Sequence, residues 1–465
     1  MAKYQKYAEY KDSGIDCLGE IPNHWAISKL RYLFNFSKGL SITKENLQDE
    51  GIPCVNYGEV HSKYGFEVNP KKHPLKCVNA SYLKTSENAL LNNGDFVFAD
   101  TSEDLKGSGN FTHLLGDEQI FAGYHTVIAR PYNASASRFY AYLFDSKEFR
   151  SQIQLAVKGV KVFSITQAIL RSADAWLPST DEQVKIANFL DHETAKIDSL
   201  IAKQEKLIEL LKEKRQAVIS HAVTKGLNPN VSMKDSGVEW LGEVPEHWQF
   251  PRLKQLIQYG SSISYGIVQP GDALDEGVPF IQTTNISKGS FELEDFQKTS
   301  VSIESNYPRS RLEGGEVILG IRASIGAAFV VPMSFKGVNL SRGIARIIPN
   351  NLLRSDFLVW YFKSNTVDQY WGLSKQGSTF SEVSIETVRE LNVVIPPLDE
   401  QETITKYLTD ESNKFEKLIN FAEKQKLLLL ERRTALISAA VTGKIDVRNW
   451  QNPNNNNEAK TEFSA

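Results

Sequence analysis

A chain of 465 residues is longer than one hydrophobic core usually supports, so we expect roughly three structural units. The formal net charge of −3 gives no general indication of nucleic-acid binding, so any DNA-binding surface must be local. The three cysteines are too widely spaced for a CxxC-type metal site, and the sequence shows neither a signal-peptide core nor a run of about 20 apolar residues, which together predict a soluble, cytoplasmic protein.

A short motif opens each half of the chain. Residues 11–25 read KDSGIDCLGEIPNHW, and residues 234–248 read KDSGVEWLGEVPEHW. Each copy is followed by a similar apolar pattern, KLRYLF in the first half and RLKQLI in the second. Because His24 and His247 both precede a tryptophan in the repeated motif, we expect them to share a packing role and not a catalytic one.

The regions that follow the two motifs differ in sequence but share a plan. Both pass through a Gly-acid turn, Gly94-Asp95 in the first and Gly315-Glu316 in the second, and both end at a proline. Runs rich in β-branched and aromatic residues predict strands over 96–99, 126–129, 316–319, 327–331 and 343–348. Helical spacing predicts helices over 137–154 and 355–369. Each region is therefore predicted to be a mixed α+β domain with a central sheet.

A long helix is predicted after each variable region. Residues 181–225 align without a gap with the segment that begins at Asp399, and apolar residues recur every seven positions in both. In the first copy the seams are Leu190, Ile197, Leu211 and Val218, and Ala187, Thr194, Ile201, Ile208 and Ala222, with Gln204 and Arg215 as interruptions. At about 1.5 Å per residue the helix spans roughly 65 Å, so its apolar stripe needs another rod, and we predict an antiparallel pair. The alternative is that each helix packs only on its own variable region.

Signatures of catalysis are absent or incomplete in the sequence. It contains no GxxxxGK[ST] phosphate loop, no complete dinucleotide glycine motif and no Asn/Asp-Pro-Pro-aromatic methyltransferase motif. Asp95, Asp104 and Lys106 offer the carboxylates and lysine of a metal-dependent nuclease, but the second half has no equivalent lysine. We therefore predict no catalytic residue, no metal and no cofactor in this chain, and retain an autonomous nuclease as an alternative.

The doubled order of motifs resembles one known family. Pro178 and Pro396 are each followed closely by Asp-Glu-Gln, at residues 181–183 and 399–401, and a long helix comes next. This order, together with the KDSGxxxLGExPxHW opening, is similar to that of the specificity subunits of type I restriction–modification enzymes. The resemblance covers nearly the whole chain.

The resemblance implies both a fold and a function. It implies an α+β protein with two mixed α/β target recognition domains, separated by two long helices that form an antiparallel coiled coil with a pseudo-twofold internal repeat. Each domain would read one half of an asymmetric, bipartite double-stranded DNA target with an unread spacer. The resemblance further implies a non-catalytic subunit that scaffolds two methyltransferase subunits and, through them, restriction subunits with motor and nuclease activity. S-adenosylmethionine, ATP and magnesium are then expected in those partners.

The predicted boundaries follow from this plan. They are residues 1–176 for the N-terminal segment and first target recognition domain, 177–233 for the first conserved helix and linker, 234–394 for the second target recognition domain, 395–446 for the second conserved helix, and 447–465 for a disordered tail.

Polar and cationic residues in the predicted loops are candidates for DNA contact, because base edges are read by hydrogen bonds and phosphates by cations. In the first domain they are Asn56, Tyr57, Lys106, Ser108, Asn110, Tyr124, Lys158 and Lys161. In the second they are Thr283, Asn285, Lys288, Arg322, Ser324, Asn339, Arg342, Lys375, Gln376, Ser378 and Thr379. Lys158 and Lys161 align with 375–379 around a shared glycine, which favours these first. For any single residue the alternative is a solvated loop.

Two further expectations concern the long helices. Glu182-Gln183 and their copies are expected to cap or pack the first helical turn, with a contact to partner subunits as the alternative. Lys203, Lys206, Glu209 and Lys212 lie on the face where partner subunits would dock. A rival interpretation of the whole chain is a coiled-coil protein-interaction scaffold without DNA specificity.

Overall fold

The computed structural model describes residues 4–159, 161–288, 291–374 and 382–453. The chain divides into two compact units: unit 1 comprises Met1–Lys203 with Gln425–Ala465, and unit 2 comprises Gln204–Lys424. Among the described residues, no helix is long and apolar enough to cross a membrane. Most of the tail predicted over 447–465 lies outside the described residues.

Unit 1 consists of short strands and helices followed by the start of a long helix. Its strands are β1 (Tyr10–Asp12), β2 (Glu20–Pro22), β3 (Ala26–Lys29), β4 (Phe34–Lys38), β5 (Ile52–Val55), β6 (Phe66–Val68), β7 (Cys77–Val78), β8 (Leu90–Leu91), β9 (Phe96–Ala99), β10 (Thr101–Ser102), β11 (Phe111–Leu114), β12 (Ile120–Ala122), β13 (Thr126–Pro131), β14 (Phe163–Ser164) and β15 (Asp174–Leu177). Its helices are α1 (Tyr82–Thr85), α2 (Ser137–Asp145), α3 (Lys147–Ala156), α4 (Gln167–Ser172) and the first part of α5 (Thr180–Lys225).

Two sheets carry the core of unit 1. One sheet has the strand order β4-β13-β9-β11-β6, and the other has the order β7-β5-β12-β8. Neighbouring strands are antiparallel except for the pairs β11–β6 and β12–β5, which are parallel. A large apolar cluster that includes Phe34 and Phe144 packs the first sheet against the helices. A separate cluster that includes Val55 and Val97 contains residues of both sheets.

Unit 2 repeats this plan with fewer strands. Its strands are β16 (Met233–Asp235), β17 (Glu243–Pro245), β18 (Ser264–Tyr265), β19 (Val278–Ile281), β20 (Gln297–Thr299), β21 (Val317–Gly320), β22 (Ala328–Val330), β23 (Asn339–Leu340) and β24 (Ile344–Ile347). Its helices are α6 (Thr283–Lys288), α7 (Val301–Glu304), α8 (Ser355–Phe362), α9 (Asn365–Ser374), α10 (Ile385–Glu390) and the first part of α11 (Leu398–Val441).

The sheets of unit 2 correspond to those of unit 1. Their strand orders are β18-β24-β21-β22 and β20-β19-β23, and β19–β23 is a parallel pair like β5–β12. The central antiparallel pair is β21–β24 in unit 2 and β9–β13 in unit 1, and strands β21 and β9 each begin directly after a Gly-acid turn. The predicted mixed α+β class is therefore confirmed, and the predicted strands lie within one residue of these positions at most of their ends.

The repeated motif forms the same hairpin in both units. Strands β1 and β2 pair in the same register as β16 and β17. In the turn, the Asp12 carboxylate accepts a hydrogen bond from the Gly14 N–H at 3.0 Å, and Asp235 accepts one from Gly237 at 2.9 Å. Both glycines have φ of +67°, a conformation that other residues adopt only with strain. The shared KDSG sequence is therefore explained by the geometry of one turn.

The helices predicted over 137–154 and 355–369 are each broken in two. Ser146 leaves the helical region between α2 and α3, and its hydroxyl accepts the Phe149 N–H at 3.3 Å as an N-cap. Ser364 lies at the equivalent break between α8 and α9, where its hydroxyl accepts the Val367 N–H at 3.3 Å. The sequence showed one continuous amphipathic pattern because both short helices of each pair bury their apolar faces in the same cluster, α2 and α3 in unit 1 and α8 and α9 in unit 2.

The two long helices pair in opposite directions within each unit. In unit 1, Ile186 and Leu190 of α5 share a buried cluster with Ile437 and Val441 of α11. In unit 2, the end of α5 and the start of α11 contribute the residues Ile219, Val223, Ile404 and Leu408 to one cluster. The start of one helix thus lies beside the end of the other in both units, which confirms the predicted antiparallel pair.

One buried histidine in unit 1 makes stability depend on pH. The His113 ring stacks on Phe96 at 4.7 Å, and neither ring nitrogen has a hydrogen-bond partner among the described residues. Burial, aided by the nearby Arg138, lowers the pKa of His113 to about 3. The unfolded chain therefore binds a proton between about pH 6.5 and pH 3 that the folded chain does not bind.

We expect unit 1 to lose stability as the pH falls through this window, by up to about 1.4 kcal/mol per pH unit from this group. His113→Phe keeps an aromatic ring in the same apolar site, so its unfolding free energy should fall less steeply with decreasing pH. Urea unfolding at several pH values measures both slopes. His221→Gln, at an exposed position, serves as the control and should follow the wild type; equal slopes for all three proteins would contradict the assignment.

Candidate nucleic-acid interface

Each Gly-acid turn holds a buried carboxylate that pairs with an arginine of the neighbouring strand. The Asp95 carboxylate accepts the Asn92 N–H at 2.8 Å and is 3.1 Å from Arg130 Nε. Glu316 repeats this arrangement with the Glu313 N–H at 2.7 Å and Arg346 Nε at 3.0 Å. Burial raises the pKa of Asp95 even though Arg130 opposes the shift. Among the described residues, no group of three or more His, Cys, Asp or Glu side chains could hold a metal ion.

Several candidate loops of unit 1 meet at one edge of the sheets. The Tyr57 N–H donates to the Tyr124 carbonyl at 3.3 Å, and the Tyr57 ring stacks on His61 at 5.1 Å. His61 Nδ1 lies 3.2 Å from Asn110 Nδ2. These loops follow the carboxyl ends of β5 and β12, which lie together because the two strands are parallel.

Only some of the candidates in unit 1 present a free polar group. Lys106, Lys158 and Lys161 are exposed, while Tyr57 and Tyr124 are half-buried, and burial raises the pKa of both phenols. The remaining three, Asn56, Ser108 and Asn110, are used inside the fold: Asn56 and Ser108 are buried, and Asn110 bonds His61 and Arg150.

The loops of unit 2 meet in the same way. The Ser324 hydroxyl donates to the Thr283 carbonyl at 3.3 Å, which joins the loop after β21 to the start of α6. Arg322 and Arg342 both approach Glu382, each at 3.9 Å. Arg342 is exposed and Arg322 is half-buried, so the cluster presents cationic groups at the carboxyl ends of β19, β21 and β23.

The other candidates of unit 2 are buried or undescribed. Asn285 is buried, and its amide bonds Gln282 and Asp295. Asn339 is buried beside Glu304 and Ser310, which use its amide at 2.9 and 2.6 Å. Lys375, Gln376, Ser378 and Thr379 lie outside the described residues, as does the side chain of Lys288.

Backbone strain marks both clusters. Among the described residues other than glycine, positive φ occurs at Phe66, His125 and Ala323. His125 follows Tyr124 in unit 1, and Ala323 lies between Arg322 and Ser324 in unit 2. Strained residues are found preferentially at binding and catalytic sites, which agrees with a functional role for these loops.

The repeated His-Trp pair and the helix-start glutamate form one hydrogen-bonded cluster in each unit. In unit 1, Glu182 accepts from Trp25 Nε1 at 3.2 Å, and His24 Nε2 lies 2.9 Å from it. In unit 2, Glu400 accepts from Trp248 Nε1 at 2.9 Å. His247 Nε2 lies 2.7 Å from Glu400. We refer to each set of His, Trp and Glu as a hinge cluster.

Residues 22–210 and 245–429 match the family model of the type I restriction modification DNA specificity domain. The chain belongs to this family. A putative type I restriction enzyme specificity subunit, MjaX of Methanocaldococcus jannaschii, is 24% identical over 460 residues, which cover 96% of this chain and 99% of the relative. The EcoBI specificity subunit of Escherichia coli is 28% identical over 263 residues, 56% of this chain and 55% of the relative.

Solved structures agree with the family assignment at the level of fold. A chain from a structural study of complex assembly and conformational transition of the type I R-M system superposes with a TM-score of 0.69 at 18% identity, covering 91% of this chain and 99% of that one. The HsdS subunit of Thermoanaerobacter tengcongensis gives a TM-score of 0.51 at 16% identity and covers 91% of this chain and 98% of its own.

In this specificity-domain protein, the glutamate of the Asp-Glu-Gln motif has a role that the sequence did not reveal. We expected Glu182-Gln183 to cap or pack the first helical turn. Gln183 packs there, because its Nε2 donates to the Pro178 carbonyl at 2.9 Å, while Glu182 binds the hairpin motif. Gln401 Nε2 donates to Pro396 in the same way at 2.9 Å. The sequence did offer one indication of this contact: the hairpin motif and the Asp-Glu-Gln motif both occur in both halves, and segments that recur together often contact each other.

Removing the two glutamates should have unequal effects. Glu182 is 4% exposed and Glu400 is 39% exposed, so Glu182→Ala leaves the Trp25 N–H without a partner or water. We expect a loss of about 3 kcal/mol for Glu182→Ala and about 1 kcal/mol for Glu400→Ala. Urea unfolding followed by tryptophan fluorescence measures both values. The control is Glu416→Ala on an exposed position, expected within about 0.5 kcal/mol of wild type; equal losses for the two glutamates would contradict the difference in burial.

Proposed function

We propose that this chain is the DNA-reading specificity subunit of a type I restriction–modification complex. It binds double-stranded DNA without catalysing a reaction, and each unit reads one half of an asymmetric, bipartite target that contains an unread spacer. It scaffolds two methyltransferase subunits and, through them, the restriction subunits. S-adenosylmethionine, ATP and magnesium belong to those partners, and the assembly works in the cytoplasm.

The observation that carries this proposal is the pair of unlike loop clusters on equivalent strands. Both clusters stand at the carboxyl ends of a parallel strand pair, β5–β12 or β19–β23. Their side chains differ: unit 1 presents Tyr57, Tyr124 and Lys106, whereas unit 2 presents Arg322 and Arg342. Equivalent strands that carry different loop side chains suit a DNA target whose two halves differ in sequence.

The arginine pair of unit 2 has the chemistry of a DNA contact. Arg322 Nε lies 3.9 Å from one oxygen of the Glu382 carboxylate, and an Arg342 guanidinium nitrogen lies 3.9 Å from the other. A carboxylate and a phosphate offer similar acceptor oxygens, so DNA can replace Glu382 as the partner of these guanidinium groups. Arginine also binds guanine edges in the major groove through two hydrogen bonds.

Exposed apolar residues on the long helices support the partner assignment. In unit 2 these are Leu207, Leu210, Leu418 and Phe421. In unit 1 they are Leu200, Leu427, Leu428 and Leu430. We place the docking of the methyltransferase subunits on these residues, together with the exposed Lys203, Lys206, Glu209 and Lys212, because large apolar side chains grouped on a surface mark protein interfaces. The same residues would serve a protein scaffold without DNA specificity, so DNA binding needs its own test.

The DNA test replaces both arginines. In the complex with methyltransferase subunits, Arg322→Ala with Arg342→Ala should weaken binding to the recognised duplex about 10- to 100-fold and relax sequence preference at one half-site only. Methylome sequencing of a host that expresses the complex defines the target, and fluorescence anisotropy at several salt concentrations measures affinity. Lys336→Ala is the matched control, because Lys336 is exposed, pairs with Glu313 and lies near the Gly-acid turn of the same unit, away from these loops. Unchanged affinity and specificity in the double variant would favour the protein scaffold.

The spacer length is expected to depend on the long helices, each of which contributes residues to both units. Four residues inserted within 202–214 lengthen α5 by about 6 Å, which corresponds to roughly two base pairs of DNA. We expect the methylated target of this variant to contain a longer spacer with unchanged half-sites. Four residues inserted after Asp117, in an exposed turn between β11 and β12, form the control and should leave the spacer as it is. An unchanged spacer in the helix variant would refute this role for the helices.

A further inference from the structure

The hinge cluster of unit 1 contains a tyrosine that unit 2 lacks. The buried Tyr7 donates its hydroxyl proton to Glu182 Oε1 at 2.5 Å. Its ring packs against Trp25 with a centroid distance of 6.0 Å, and the Arg448 guanidinium lies 4.9 Å from the ring centre on the other side. Burial, and then the Glu182 carboxylate, raise the pKa of the Tyr7 phenol. Tyr7 is therefore held as a neutral donor that completes the cluster.

At the equivalent place unit 2 has an open pocket. The register shared by the two hairpins makes Asn230 the counterpart of Tyr7, and the Asn230 side chain is exposed. A pocket of about 260 Å³ lies beside this position, lined by Leu227, Pro245, His247, Trp248, Glu400 and Thr403 among others. A cavity of roughly 150 Å³ is enough to hold a benzene ring, so this pocket has room for a phenol.

The pocket is open because of the chain connection. In unit 1, two segments flank the cluster: residues 4–10 enter the hairpin, and residues 444–450 leave α11, with Asp446 N–H donating to the Gln5 carbonyl at 2.8 Å. In unit 2, the single connection 227–233 leaves α5 and also enters the hairpin. One segment replaces two, and among the described residues of unit 2 the counterpart of Tyr7, Asn230, is exposed and does not line the pocket.

We propose that this pocket of unit 2 binds a tyrosine side chain from a partner protein, in the position that Tyr7 occupies in unit 1. The phenol occupies the pocket beside Trp248, which is 1% exposed, and donates its proton to Glu400, whose carboxylate is 39% exposed where that of Glu182 is 4% exposed. Glu182 Oε1 already accepts from both Tyr7 and Trp25, which shows that one carboxylate of this cluster can take a phenol and an indole together.

The first test uses the full chain with N-acetyl-L-tyrosinamide as the probe. The protein has seven tryptophans, so the indole N–H signal of Trp248 can be assigned in a tryptophan-labelled sample by comparison with Trp248→Phe. We expect this signal to shift saturably with the probe. N-acetyl-L-phenylalaninamide should bind roughly tenfold more weakly because it lacks the donor, and Glu400→Ala should remove this tenfold difference. No shift with either amide, or equal affinity for both in the wild type, would overturn the proposal.

The second test identifies the source of the tyrosine, and it rests on the proposed assembly with methyltransferase subunits. A photoreactive p-benzoylphenylalanine at Leu227, which is exposed and lines the pocket, is introduced into the full chain of the assembled complex. Mass spectrometry should map the crosslink to a tyrosine-containing peptide of a partner subunit. A crosslink to another part of this chain, to a second copy of it or to a partner peptide without tyrosine would exclude a partner's tyrosine as the occupant. The amide titration stands whether or not the assembly forms, so failure of the assembly and failure of the pocket are separable.

Discussion

The structure of unit 1 depends on a glutamate carboxylate at the start of a long helix, and unit 2 repeats the interaction with a more exposed glutamate. In unit 1, Glu182 binds the tryptophan of the hairpin, and that hairpin also contacts the end of the other long helix, where Tyr10 donates to the Gly443 carbonyl at 2.9 Å. One acidic side chain thus joins three segments that are far apart in sequence. Because this hinge cluster is mostly buried, each of its donors and acceptors needs a hydrogen-bond partner. This requirement constrains how the start of α5 packs against the hairpin. The sheets and their loops are then attached to this fixed base.

The two copies of this arrangement show which features repeat and which vary. The hairpin register, the glycine turn, the helix break at Ser146 or Ser364, and the proline-bound glutamine are the same in both units. The loop residues, the number of strands and the exposure of the glutamate differ. The repeated serine and glutamine contacts satisfy buried backbone groups, which are costly to leave unsatisfied in the interior. The repeated glycine turn is exposed and is explained by its backbone conformation.

Much of the fold could be predicted from the sequence because it is written twice. The heptad seams of 181–225 predicted the antiparallel helices, and the apolar runs predicted the central strands, since both signals depend on periodic burial. The breaks at Ser146 and Ser364 could not be predicted, because a serine inside an amphipathic pattern is compatible with a continuous helix. For the candidate site, the sequence identified loops but not side-chain orientation. Asn56 follows β5 and Asn339 lies in β23, and both side chains point inward, where their amides bond neighbouring groups. Which polar residue of a loop is satisfied internally depends on long-range packing, which residue type alone does not encode.

Each unit contains one large apolar cluster and smaller ones, and this division has an evolutionary consequence. The larger cluster ties the hinge, the long helices and one sheet face together, whereas a smaller one lies under the loops, through Val55 and Val97 in unit 1 and Ile281 and Ile318 in unit 2. Substitutions that repack the smaller cluster can tilt or reshape the loops while the larger one continues to hold the helices. The residues that hold the unit together are therefore not the ones that shape its loops. The loops of such a protein can change through many small substitutions while the unit stays folded.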